Sequence, residues 1–222
     1  MNTSATDQGA RRAVKARDVG FFRAWAAWLA ARKVRPNTIS WLSVFCAAVA
    51  GACLFSLPLQ ASTAKAVGAL ICALVFIQLR LICNLLDGLV AVEGGLKTKS
   101  GEIFNDLPDR LSDPLILIGA GYAAQEYPMG IVLGWLAALL AVMTAYVRVL
   151  GQATGAGQFY LGPMAKQHRM AAMSLVLLAA AIGIRWVPPA NFLGGGLVLI
   201  VTGCVVTIVR RAVRIVKTLE ET

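Results

Sequence analysis

The chain has 222 residues, of which 58% are hydrophobic and 14% charged, with a formal net charge of +10 and a mean hydropathy of +0.71. This composition excludes an ordinary soluble globule and indicates a polytopic membrane protein. The positive excess points to anionic headgroups, and nucleic acid is not expected because no aromatic and basic reader motif occurs.

The N-terminus carries Arg11, Arg12, Lys15 and Arg17 without an apolar core, so it does not read as a cleavable signal. From Asp18 to Lys33 the chain alternates Phe21, Phe22, Trp25, Trp28 and Leu29 with Arg23, Arg32 and Lys33. That pattern suits a helix lying flat in the membrane interface. Apolar runs follow near 39–57, 65–86, 111–124, 129–147, 170–187 and 192–209, and about 20 apolar residues cross a hydrocarbon core. The expected fold is therefore an all-α membrane protein of six transmembrane helices preceded by an N-terminal interfacial amphipathic helix. Its expected organisation is a basic segment over 1–34, one six-span domain over 35–213 and a short tail over 214–222. The third run is short unless its helix starts near Asp106, which would place acids at the membrane edge. Pro58, Pro128 and the pair Pro188-Pro189 fall in three short turns on one side, where a residue lacking a backbone donor does little harm.

Lysines and arginines orient the bundle. Those before the first span, together with Lys97, Lys99, Arg148, Lys166, Arg169, Arg210 and Arg211, share one side, whereas the proline-bearing side offers only Lys65 and Arg185. The positive-inside bias puts both termini and the acidic stretch in the cytoplasm, and a bacterial inner membrane is the expected location. Cys46, Cys53, Cys72, Cys83 and Cys204 all lie in apolar runs without metal-ligand spacing and read as packing residues.

The stretch from Asn84 to Asp113 concentrates carboxylates, amides and glycines beside membrane-length apolar segments, where acids are functional candidates by default. Asn84 and Asp87, three apart, share a helical face, as do Asn105 and Asp109, four apart. The glycines at 94, 95 and 101 let the chain reverse, so two pairs of oxygen ligands can converge, a donor set suited to Mg²⁺. Gly88 and Ala91 leave room for close approach. Arg80 lies on the face of Asn84 and Asp87, either as a phosphate or carboxylate contact or as a counter-ion for Asp87. Competing structural readings make Asn105 or Asp106 an N-cap with Pro108 in the first turn, and Asp113 a turn residue before Pro114.

These residues resemble the CDP-alcohol phosphotransferases (CDP-alcohol phosphatidyltransferases), integral membrane enzymes of phospholipid synthesis. The family motif runs Asp-x-x-Asp-Gly-x-x-Ala-Arg, eight or nine residues, then Gly-x-x-x-Asp-x-x-x-Asp. Here it reads Asn84-x-x-Asp87-Gly88-x-x-Ala91-Val92, eight residues, then Gly101-x-x-x-Asn105-x-x-x-Asp109, with the spacing fully kept. Arg35-Pro36-Asn37-Thr38-Ile39-Ser40 and Tyr146-Val147-Arg148 are similar to the family's lead into its first span and basic exit from its fourth.

The resemblance implies transfer of a phosphatidyl or phospho-alcohol group from a CDP-linked donor, in the first place CDP-diacylglycerol, to a small hydroxyl acceptor, phosphorylated or not, with release of CMP. It implies Mg²⁺ or Mn²⁺ at Asn84, Asp87, Asn105 and Asp109, with Asp109 also the general base, and nucleotide contacts at Asp87, Gly88, Ala91 and Gly101. Arg148, Lys166 and Arg169 are the implied acceptor ligands, while the sole histidine, His168, reads as structural; a homodimer is also implied. Three positions depart from the family: Asn84, Val92 and Asn105. The charge of the four motif positions falls from −4 to −2, which favours one metal or a weaker pair, since ligand charge tunes affinity. Asp106 is rotated by about 100° from Asn105 on an ideal helix, whereas Asp113, one turn beyond Asp109, is the better substitute ligand. The departures also leave open a non-catalytic homologue that binds nucleotide or lipid, or a scaffold.

Overall fold

The computed structural model of the chain describes residues 20–60, 62–95 and 101–221, without the side chains of Glu102 and Asn105. Every regular element among them is helical: α1 (Gly20–Ala31), α2 (Pro36–Phe55), α3 (Thr63–Glu93), α4 (Gly101–Ala123), α5 (Gly130–Ala153), α6 (Lys166–Gly183) and α7 (Pro189–Glu220), with a 3₁₀ turn at Leu57–Leu59. Four of them, α2, α3, α5 and α7, are long and apolar enough to cross a membrane. The other two helices on apolar runs, α4 and α6, begin with charged residues, which lowers their hydropathy.

The chain forms two compact units, the first of the described residues up to Cys46 with Gln78–Ser112, the second of Ala47–Ile77 with the described residues from Asp113 onward. In the first unit, α1 leads into α2 through a reversal that needs no glycine. Val34 N–H donates to Leu29 O at 3.1 Å and Lys33 N–H to Ala30 O at 2.9 Å, with Lys33 in the left-handed region at φ 58°. This is a Schellman closure, and Pro36 then starts α2, where its fixed φ and missing N–H suit the first turn. Ala26, Ile39, Cys83, Leu86, Leu89 and Val90 form the unit's buried core, with Phe22, Leu29 and Val34 packed against it. Phe21, Trp25 and Trp28 on α1 remain exposed.

In the second unit, α7 packs against both α5 and α6. Where lipid surrounds the helices no hydrophobic force draws them together, and close backbone contact at small residues does that work. A Cβ on Gly51 would lie 2.5 Å from Leu115 O, and one on Gly121 would lie 2.7 Å from Gly134 Cα. Only glycine fits either position.

Helix α4 corrects two of the local expectations. It runs unbroken from Gly101 through both Pro108 and Pro114, so neither Asn105 nor Asp106 is an N-cap and Asp113 is not a turn residue. Each proline removes one backbone bond, to Phe104 O and Arg110 O respectively, and the Ser112 hydroxyl donates to Pro108 O at 2.9 Å instead of leaving that turn wholly to the backbone.

Candidate active site

The first unit assembles its polar groups on one face of α3. Arg80, Asn84 and Asp87 are spaced four and three apart, so they stack along the helix. Asp109 reaches them from α4: Arg80 Nη2 donates to Asp109 Oδ1 at 3.0 Å and Asn84 Nδ2 donates to the same oxygen at 2.8 Å. Arg80 therefore pairs with Asp109, 29 residues away along the chain, a carboxylate contact. Asp87 instead accepts from the Ser40 hydroxyl of α2 through Oδ2 at 2.7 Å and from Gly88 N–H through Oδ1 at 2.6 Å. Both acids are buried, Asp87 at 3% and Asp109 at 5% exposure, and Arg80 is fully buried. Ser43 on α2 donates to Arg80 O at 3.4 Å, a second tie from α2 to this face.

Asn84, Asp87 and Asp109 are thus brought together. Asn105 lies on α4 one turn before Asp109, with its side chain outside the described atoms. Gly88 and Ala91 follow Asp87 on α3, half-buried, and Gly101 begins α4. Among the described residues no three acidic, histidine or cysteine side chains gather to hold a metal. Two carboxylates, an amide and the Ser40 hydroxyl remain, all hard oxygen donors. That chemistry fits a single divalent ion better than two, because Mg²⁺ uses one or two carboxylates and completes its shell with phosphate and water.

The second unit holds a separate buried network. Arg169 on α6 donates through Nη2 and Nε to Asp113 Oδ2 at 2.7 and 3.2 Å, and through Nη1 to Thr144 Oγ1 and Met164 O, both at 2.9 Å. Arg211 on α7 donates to Thr144 O and, at 2.9 Å, to Leu161 O. Arg148 on α5 is half-buried, its guanidinium 5.5 Å from the centre of the Tyr160 ring, and Lys166 opens α6. His168 is exposed, with Nδ1 2.9 Å from Pro163 O. The residue-by-residue reading missed Ser40, Thr144 and Arg211 as site-building groups. Arg211 had a legible signal: Gly203, Cys204, Thr207 and Arg211 make a buried stripe at helical spacing on α7.

Residues 33–209, well over half the chain, match the family profile described as CDP-alcohol phosphatidyltransferase. The chain belongs to the CDP-alcohol phosphatidyltransferase family. It is, accordingly, a transferase of phospholipid biosynthesis built on apolar helices. No curated protein matches the chain in sequence. Among solved structures, it is similar to Mycobacterium tuberculosis phosphatidylinositol phosphate synthase (PgsA1) in complex with manganese and citrate, at 21% identity and a TM-score of 0.69, covering 87% of this chain and 88% of that one. The same enzyme with CDP-DAG bound matches at 22% identity and a TM-score of 0.68, covering 87% and 92%. Its apo form matches at 20% and 0.67, covering 86% and 94%. At such identities the likeness establishes the CDP-alcohol phosphatidyltransferase fold and no more.

Proposed function

We propose that this chain transfers a phosphatidyl group from CDP-diacylglycerol, or a related CDP-linked donor, to the hydroxyl of a small acceptor and releases CMP. The observation that carries the reading is the pair Asp87 and Asp109: both stand at the family's motif positions, both are buried, and both belong to one polar face. The manganese and CDP-DAG seen with the mycobacterial synthase support a divalent ion and a CDP-linked donor here. Six helices, α2 to α7, cross the membrane in this reading, with α1 in the interface and the acids facing the cytoplasm as the distribution of lysine and arginine requires.

Asp87, Asp109 and Asn84 would hold the ion, with Asn105 completing the motif. When bound, Mg²⁺ or Mn²⁺ neutralises the donor's diphosphate and stabilises CMP as it leaves. Asp109 takes the proton of the acceptor hydroxyl, the freed oxygen attacks the β-phosphorus, and the phosphoanhydride bond to CMP breaks. Ser40 fixes the Asp87 carboxylate, and Arg80 and Asn84 fix that of Asp109, so neither acid has to reorganise during the step. Gly88, Ala91 and Gly101 leave space for the cytidine. Arg148 and Lys166 receive an anionic acceptor, and Arg169 sets the geometry around them.

The test is purified protein with CDP-diacylglycerol, Mg²⁺ or Mn²⁺ and a panel of acceptors, including inositol phosphate, glycerol phosphate and simple alcohols, with CMP as the readout. Metal-dependent CMP release with at least one acceptor is expected. Donor binding without release under any acceptor would refute transfer.

A further inference from the structure

We propose that Arg80 is a built-in cation of the active site, taking the charge and the room that a second divalent ion would need at Asp109, so that this chain holds one divalent ion and not two. The inference rests on the function proposed above and refines the metal content of the same site. It begins with charge: Asn84, Asp87, Asn105 and Asp109 together supply −2, and Arg80 returns +1. One dication brings the group to +1, but a second would bring it to +3 before any substrate arrives.

Geometry points the same way. Arg80 Nη2 and Asn84 Nδ2 converge on one oxygen, Asp109 Oδ1, at 3.0 and 2.8 Å. Two N–H donors turn their positive ends toward an atom that a metal would need as an electron-pair donor. Arg80 is not a swinging surface side chain: it is fully buried, on the same helical face as the two motif positions that follow it, and its carbonyl is tied to Ser43. The substitution at Asn84 belongs to the same arrangement. An aspartate there would face Asp109 with a second negative charge, whereas the amide supplies a donor that complements Arg80.

The experiment counts Mn²⁺ bound per chain in purified full-length protein in detergent, by electron paramagnetic resonance of the free ion, with neither donor nor acceptor present. The native chain is expected to bind one Mn²⁺. In Arg80→Gln the ion should bind at least about tenfold more tightly, because a neighbouring positive charge is gone, or a second ion should appear. Arg80→Met, of similar length, replaces the glutamine variant if that one does not fold. Two ions or none on the native chain would overturn the proposal, as would unchanged count and affinity in the folded Arg80 variant. Failure here is separable from failure of the transferase reading. An inactive chain that binds one ion refutes transfer alone, and an active chain that binds two refutes only the role of Arg80.

Discussion

Removing Asp113 should show that the buried pair with Arg169 holds the second unit together. The side chains are 4% and 3% exposed, so the carboxylate shields a guanidinium that water does not reach. Deleting one member of such a pair costs about 3–5 kcal/mol, because the other charge stays buried and uncompensated. Arg169 retains Thr144 Oγ1 and Met164 O in Asp113→Ala, which places the loss near the lower end, about 3 kcal/mol. For a chain of this size each kcal/mol moves the midpoint by about 2–4 °C, so Tm should fall by about 6–12 °C. Arg169→Met removes all four of the arginine's bonds, two of them to Asp113, giving the larger loss of about 5 kcal/mol. In the double variant the two losses should fall short of additivity by about 2–3 kcal/mol, the coupling expected of groups in contact. Thermal unfolding of the four proteins in one detergent provides the cycle. Strict additivity, or an Asp113→Ala midpoint indistinguishable from native, would refute the assignment.

Five further outcomes are expected. Asp109→Asn should lower turnover by about 10²–10⁴-fold while leaving donor binding partly intact, since an amide cannot take the hydroxyl proton; native-like turnover would end the general-base role. If only a variant with Asn84→Asp and Asn105→Asp releases CMP, the native chain is a binding homologue. Ser40→Ala removes the 2.7 Å bond to Asp87 and should destabilise the chain by about 1–3 kcal/mol, seen as a lower Tm. Gly121→Val should cost about 1–3 kcal/mol through overpacking against Gly134; a native Tm would mean the helices can part there. Single cysteines at Thr98 and Gln158, in a chain stripped of its own cysteines, should be labelled only from the cytoplasmic face, and labelling from the outer face would invert the orientation.

The apolar runs made six of the helices legible, because their length exceeds anything a loop can hold, and the proline-bearing turns fell where expected. The start of α4 was not legible. Its first turns are polar and interrupted by Pro108, features that read locally as a helix beginning, yet the helix already runs from Gly101 and continues through that proline. The motif spacing located Asp87 and Asp109, whereas the partners were hidden: Arg80 meets an acid 29 residues away, and Asp113 meets Arg169 at a separation of 56. Helical periodicity says which residues share a face but not which face of another helix they meet.

Thr144 serves both arginines of the second unit, accepting from Arg169 with its hydroxyl and from Arg211 with its carbonyl. The segment before α6 is fastened by the same residues, through Leu161 O, Met164 O and a bond from Met164 N–H to Thr207 Oγ1 at 3.0 Å, while Gly162 at φ 115° fits against the Thr207 side chain, where a Cβ would lie at 2.6 Å. A connection anchored this way opens with its helices and not ahead of them. The Met164 amide should therefore exchange its hydrogen as slowly as the interior of α5.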